Sequence, residues 1–282
     1  MKKGLVMEGG AMRGMFTAGV TDVLMENNIA FDGAVGVSAG AVFGCNYKSG
    51  QIGRVIRYNA RFCKDRRYCG IGVLLKTGDL YSKDFAYREV PEKLDVFDTE
   101  AFKKNPMEFY VVCTDMNTAK AVYHKCSCGD REDIEWMRAS ASIPALSRPV
   151  ILDGKELSDG GTANSVPVEF FIEKGYEKIA VILTRPKGYV KKKNRLLFLM
   201  RLRLKKYPKL LAALKDRHER YNEQYKKIEE YEKEGRIFVI RPKGGLKVGA
   251  AERNKNKLIS VYEEGRKAGE ECLNDLKNYL EN

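Results

Sequence analysis

Histidine is nearly missing from this chain. Its 282 residues include only His124 and His218, so a serine–histidine triad has few places to come from. No apolar run reaches the roughly 18 residues that a membrane-spanning helix requires. There is no internal repeat. A disulfide framework is also unsupported: the seven cysteines are an odd, scattered set, which fits a reducing, cytoplasmic setting. Met1-Lys2-Lys3 and the apolar residues behind them imitate a secretion signal, but Glu8 and Arg13 interrupt the run. What remains is a globular chain, long enough to bury a sizeable core as a single domain over residues 1–282.

Three short, widely separated segments carry chemistry. The first is Gly36-Val37-Ser38-Ala39-Gly40. Residues 31–37 read as a buried strand and Ala39 to Phe43 can begin a helix, so Ser38 stands where a nucleophile elbow would. Such a turn must lift the hydroxyl clear of the sheet. Gly36 and Gly40 let strand and helix approach without Cβ clashes, and the helix start adds partial positive charge. A small-residue turn that merely contains serine is the plain alternative.

The second segment, Glu8 to Gly14, follows a strand at residues 4–7. It precedes a helix, Met15 to Met25, with Phe16, Val20, Val23 and Leu24 at helical spacing. A glycine-rich turn there aims several N–H groups at one spot, which suits an anion. A dinucleotide pyrophosphate would call for glycine at the first, third and sixth positions, and Ala11 occupies the third. The oxyanion of ester hydrolysis needs only two or three converging donors. In the third segment, Val150 to Leu157 reads as a hairpin with Asp153-Gly154 at its tip, followed by Asp159-Gly160-Gly161. Asp159 can cap a turn or act as a base.

In this order the three segments resemble the patatin-like phospholipase family. The family's loop has three glycines, a variable residue, a basic residue and a glycine. Here Gly9-Gly10-Ala11-Met12-Arg13-Gly14 departs from it at Ala11, which keeps the N–H but whose Cβ disfavours positive φ. The resemblance covers residues 4 to about 170 and implies a Ser–Asp dyad with no histidine. On that pattern Ser38 attacks an ester carbonyl, Asp159 is the general base, and water resolves a covalent acyl-enzyme. N–H groups of Gly9, Gly10, Ala11 and Ala39 would receive the oxyanion. Arg13, Gly14, Gly36, Gly40, Gly160 and Gly161 complete the motifs, with Arg13 anchoring the loop or attracting an anionic head group. No metal or organic cofactor is implied. Partial burial in an apolar cleft would raise the pKa of Asp159 and make it a better base.

Two other groupings compete. Ser38, Asp159 and His218 follow the chain order of an α/β-hydrolase triad, yet Lys215 to Arg220 reads as a charged, solvated helix. His124, Cys126 and Cys128 alternate along a strand and would share one face, for a metal or for packed free thiols. The serines of Ala139-Ser140-Ala141-Ser142 read as packing and turn residues.

Positive charge is concentrated in one place. Residues 187–220 hold 13 basic and 2 acidic residues, a net of +11 out of +13. Lys191-Lys192-Lys193, Leu196 to Met200, then Arg201, Arg203, Lys205 and Lys206 could lie on an anionic membrane, peripheral at its inner surface. Alternatively the apolar side packs on the domain and the basic side is solvated. Nucleic acid is not expected, since no recognition motif accompanies the charge.

Further strands are expected at Glu108 to Thr114, Lys178 to Thr184 and Arg236 to Ile240, and a helical region from Asn254 to Leu280. Strands alternating with helices predict a three-layer α/β/α sandwich with a mostly parallel central sheet. Its expected divisions are a catalytic core at 4–170, a basic helical segment at 187–235 and a C-terminal strand and helical region at 236–282. The function implied by the resemblance is a lipid acyl hydrolase acting on a lipid or acyl-ester substrate. A soluble esterase or thioesterase, and a membrane-binding regulatory protein without turnover, are the alternatives.

Overall fold

The computed structural model describes residues 1–194 and 197–282, so Arg195 and Leu196 of the basic stretch lie outside the described residues. Its strands are β1 (Lys3–Met7), β2 (Gly33–Val37), β3 (Glu108–Asp115), β4 (Ala121–Cys126), β5 (Val150–Leu152), β6 (Lys155–Asp159), β7 (Lys178–Ile182) and β8 (Ile237–Ile240). They form one sheet in the order β5-β6-β3-β2-β1-β7-β8, with β4 also paired to β3. The run from β3 through β2, β1 and β7 to β8 is parallel. The β3–β4, β3–β6 and β5–β6 pairings are antiparallel.

Helices cover both faces: α1 (Gly14–Glu26), α2 (Ala39–Ser49), α3 (Arg54–Phe62), α4 (Ile71–Thr77), α5 (Thr99–Lys104), α6 (Arg131–Ser140), α7 (Val168–Glu173), α8 (Leu197–Leu204), α9 (Pro208–Lys215), α10 (Arg217–Lys233) and α11 (Lys255–Glu281). The central strands are buried on both sides, so they read as continuous apolar runs. Leu5, Met7, Val111 and Ile182 join one core, with Phe16 and Val20 of α1 and Val261 and Leu276 of α11. Their neighbours Val6, Val35, Val112 and Val181 join the opposite core, with Phe171 of α7 and Tyr221 and Tyr225 of α10. This is the three-layer sandwich expected from the sequence.

The 150–157 hairpin turns on Asp153 at φ 48 and Gly154 at φ 68, the left-handed pair that a two-residue turn demands. Among the described residues the basic segment forms α8, α9 and α10, with Pro208 opening the second of them.

Strand register brings two chain segments to one point. Val37, the last residue of β2, pairs with Val112 of β3, and the next β3 residue, Cys113, pairs with Asp159. Thus β6 comes in alongside β3 where β2 turns away, and its end meets the elbow at Ser38.

Candidate active site

Ser38 has φ 55 and ψ −119, outside the regions that L-residues normally occupy. Packing holds it there. A Cβ at Gly36 would lie 2.3 Å from the Gly40 carbonyl oxygen, and one at Gly40 only 2.4 Å from the Met7 carbonyl oxygen. Strand and helix therefore touch through bare backbone. The Ser38 N–H donates to Ser140 Oγ at 2.9 Å, and that hydroxyl donates onward to the Val112 carbonyl at 2.6 Å. Ser140, read from sequence as a packing residue, is a strut under the elbow.

Ser38 Oγ donates to Asp159 Oδ2 at 2.6 Å, with both residues buried. The other carboxylate oxygen accepts the Gly161 N–H at 2.8 Å. The Asp159 backbone is fixed as well: its N–H donates to the Ser142 carbonyl and its carbonyl accepts from Thr114 Oγ1, each at 2.8 Å. Gly160 begins the short turn behind it, against the Val112 backbone. Burial pushes the Asp159 carboxyl above the ordinary carboxylate range. The Ser38 hydroxyl, the Arg217 charge, the Gly161 N–H and the Lys191 charge oppose that shift without cancelling it.

The glycine-rich loop packs directly on this pair. An added Cβ at Gly9 would sit 3.1 Å from Ser38 Cβ, and one at Gly14 would sit 2.8 Å from Ala39 Cβ. Ala11 takes φ 48 despite its side chain, which costs about 1–2 kcal/mol relative to an ordinary backbone. The departure from three glycines therefore places a strained residue in the turn. Among the described residues, the N–H groups of Gly10, Ala11 and Ala39 donate to no protein acceptor. Glu8 ties the loop down. Its buried carboxylate accepts from the Thr184 N–H, Thr184 Oγ1 and the hydroxyls of Tyr221 and Tyr225. Nothing in the local sequence marks Glu8, because its partners lie some 175 residues or more away.

Ser38 opens onto two spaces. With Asp159 it lines a cleft of about 270 Å³ that also receives Arg13, Lys191, Lys192, Arg217 and His218. On its other side, with Ala39, it borders a narrower cavity of about 60 Å³ walled by Val42, Phe43, Tyr58, Tyr68, Tyr81 and Tyr87. Arg217 Nε donates to the Gly161 carbonyl at 2.5 Å, bracing the turn that carries Asp159. Burial, reinforced by the charges of Arg217, Arg13 and Arg185, pushes the Lys191 ammonium down to about 8.

Three expectations need correction. His218 is not a solvated surface residue: it lines the cleft, its side chain is 20% exposed, and its Nδ1 is buried without a partner. Its Nε2 lies 3.6 Å from the Glu219 carboxylate, and among the described residues it bonds neither Ser38 nor Asp159. Cys128 lies beyond the end of β4 and is exposed, so it does not share a face with His124 and Cys126. His124 instead stacks on Trp136, and with Cys126 and Asp133 it places ligand-type atoms within 4.8 Å of one another. Asp133 there already accepts the N–H groups of Cys128 and Gly129. Finally, the basic stretch divides. Lys191 and Lys192 face the cleft, whereas α8 turns Phe198 (65% exposed), Leu199 (55%) and Leu202 (80%) outward.

A parallel sheet flanked by helices, with a serine elbow and a glycine-rich turn at the carboxyl ends of its strands, defines an α/β sandwich with a ligand site in the usual place for such sheets. Comparison with known sequences is more specific. The family model for patatin-like phospholipase matches residues 5–172, and the chain belongs to that family, one of lipid hydrolases. Residues 207–281 match a second model, a domain of unknown function, DUF6363. The chain is 28% identical over 202 residues to the uncharacterized protein YjjU of Escherichia coli K12, covering 64% of this chain and 52% of that one. It is 27% identical over 177 residues to lysophospholipase nte1 of Aspergillus niger, covering 59% of this chain and 11% of that one. The chain thus spans about half of YjjU and about a tenth of nte1. Among solved structures, VipD of Legionella pneumophila aligns with 97% of this chain and 67% of its own, at 12% identity and a TM-score of 0.47. No helix among the described residues is long and apolar enough to cross a membrane.

Proposed function

We propose that the protein is a serine acyl hydrolase that cleaves fatty-acyl esters of lipids through a Ser38–Asp159 dyad. The observation that carries this reading is the buried 2.6 Å bond from Ser38 Oγ to Asp159 Oδ2, made at a strained elbow. Asp159 takes the serine proton as Oγ attacks the ester carbonyl. The raised carboxyl pKa suits that task, since a carboxylate near its ordinary value of about 4 is a feeble base. The developing oxyanion is received by N–H groups of the loop at Gly9, Gly10 and Ala11 and by Ala39. Preorganised donors of this kind are worth roughly a hundredfold or more in rate each. The proton then passes to the departing alcohol, and water, activated by Asp159, hydrolyses the acyl-enzyme. The aromatic cavity beside Ser38 is suited to an acyl chain. Fluorophosphonate labelling tests the reading without a choice of substrate. Label on Ser38, lost in Ser38→Ala and strongly reduced in Asp159→Asn, supports it; an unlabelled wild type rules it out.

The outward face of α8 supports a second element, peripheral contact with an anionic membrane. Phe198, Leu199 and Leu202 can enter the headgroup layer while Arg201 beside them meets lipid charge. Replacing Phe198 and Leu202 with Ser should reduce sedimentation with phosphatidylserine-containing vesicles severalfold. Unchanged sedimentation would rule this contact out.

A further inference from the structure

The aromatic cavity beside Ser38 has a second space behind it. Val42 of α2, Tyr58 of α3, Ala86 and Tyr87 border the cavity at Ser38, and the same four residues border a further cavity of about 40 Å³ that Ser38 does not reach. They are therefore a wall between two compartments. Val90, Pro91, Phe97, Ile134 and Met137 line the far compartment, so it too is mostly apolar. Its one charged group, Arg54, is already engaged: the guanidinium donates to the Asp95 carbonyl and to Asn46 Oδ1, and lies 5.2 Å from the centre of the Tyr58 ring. The rings of the near cavity are held in different ways. The Tyr68 hydroxyl donates to Asn59 Oδ1 and the Tyr81 hydroxyl to the Ala250 carbonyl, each at 2.8 Å. Tyr58 is buried under Arg54. Tyr87 is held by packing alone, since among the described residues its hydroxyl makes no hydrogen bond. It is carried by Phe85–Leu94, a π-helix, a wide helical form found frequently at functional sites.

We infer that the wall of Tyr58 and Tyr87 sets the length of acyl chain the enzyme accepts, with Tyr87 as the deciding residue. The inference rests on the hydrolase reading above and adds chain-length selection to it. An acyl chain bound at Ser38 has two directions open to it. The cleft on one side is lined by Arg13, Lys191, Lys192 and Arg217, whose charged groups lose hydration if an apolar chain covers them. The aromatic cavity on the other side gains by the same burial. A chain that enters it passes Ala39 and Phe43 and meets the wall. Chains that end before the wall bury each methylene they carry. Longer ones must fold back or displace a ring, and both outcomes forfeit the gain. Removing the Tyr87 ring joins the two compartments and lets the chain continue toward Val90 and Met137. Tyr58 is the poorer position to change, because Arg54 rests on its ring.

The experiment measures kcat/KM for 4-nitrophenyl esters from acetate to dodecanoate, each kept below its aggregation limit. In wild type the value should rise about fourfold per added methylene while the chain stays within the near cavity, then level off or fall. In Tyr87→Ala that break should move to an ester about two methylenes longer. Relative to the wild-type optimum, the longer ester should then be favoured about tenfold more by the variant than by wild type. Tyr87→Phe keeps the ring and should keep the wild-type break. Tyr87→Leu, a milder change, should shift it in the same direction by less. The break is read within each protein, so partial misfolding, which scales all the esters alike, does not move it. A break at the same ester in wild type and Tyr87→Ala would overturn the inference. A wild-type value still climbing at dodecanoate would also overturn it, because the chain would then lie outside the walled cavity. In either case fluorophosphonate labelling of Ser38 would leave the hydrolase reading standing. Absence of both labelling and hydrolysis would remove that reading, and the inference with it.

Discussion

Two carboxylates lie near opposite ends of β3 and are treated in opposite ways. Glu108 opens β3 and accepts bonds from Lys125 at 2.7 Å, Tyr176 at 2.9 Å and Lys2 at 3.1 Å. The bond from Lys125, aided by Lys2 and Tyr176, holds its carboxyl down to about 2 against a modest effect of burial. Asp159 pairs with Cys113 near the other end of β3, where burial pushes its carboxyl up. The backbone differs in the same sense. Ser38 and Ala11, at the carboxyl ends of the strands, have positive φ; in the turns that enter β2 and β7 the residues with positive φ are Asn28 and Gly175, types that tolerate it. One end of the sheet matches its charges. The other keeps a carboxylate away from water and two residues in strained conformations, a pattern expected where stability is given up for chemistry.

The largest effect should separate the two ends outright. Ser38→Ala and Asp159→Asn should each lower ester hydrolysis by roughly 10³-fold or more with circular dichroism unchanged, because members of a unit fail together. Glu108→Gln should lower the melting temperature and leave kcat near wild type. In the same assay His218→Ala should cost less than about tenfold, since the serine proton is held by Asp159; a loss matching Ser38→Ala would restore the triad. Next in size is the loop. Gly10→Pro removes one N–H and distorts the turn, and kcat should fall roughly a hundredfold. Full activity in a folded Gly10→Pro protein would end the oxyanion role of that loop.

Acid should resolve the two carboxylates by sign. Glu108 has a folded-state pKa below its unfolded value, so its contribution to stability is present above the ordinary carboxylate pKa and is lost as pH falls toward about 2. Asp159 has its pKa raised, so the ionised base is depleted at a higher pH than an ordinary carboxylate would be. As pH falls, kcat/KM should therefore decline first, before any acid unfolding that depends on Glu108. Coincident activity and unfolding curves would break the contrast. The smallest expected effect is at Ala11→Gly. Relief of positive φ should outweigh the added chain entropy by about 1 kcal/mol or less, raising the melting temperature slightly with activity retained.

Much of this was legible in the chain itself. Strands at residues 4–7, 108–114 and 178–184 were evident as short apolar runs, and the structure ends the last of them at Ile182. Gly36 and Gly40 marked the elbow, because a Cβ on either would come within 2.3–2.4 Å of a backbone oxygen. Asp153-Gly154 marked the hairpin. Ser140 was visible but misread, since a serine whose hydroxyl supports a distant N–H looks like any other small turn residue; Ser142 is the turn residue expected, its hydroxyl bonded to the Arg138 carbonyl. His218 was misread because a helix rich in charge usually faces water. Here one side of α10 closes over the cleft, through Arg217, His218 and Tyr221.

What local sequence determines in this protein is whatever depends on neighbours within a few residues: the apolar runs, the turns that need glycine, and the serine placed between strand and helix. These are governed by sterics and by hydrophobic periodicity, both written in the order of residues. The meeting of Ser38 with Asp159, 121 residues apart, was decided by register, as β6 comes alongside β3 where β2 leaves it. The bonds to Glu8 and the positive lining of the cleft were likewise decided by tertiary packing, which brings α10 and residues 191–192 across the carboxyl ends of the strands. Electrostatic environment is a property of three-dimensional distance and burial. The same lysines that read as a solvated or membrane-facing charge run acquire a different chemistry once the fold turns them inward.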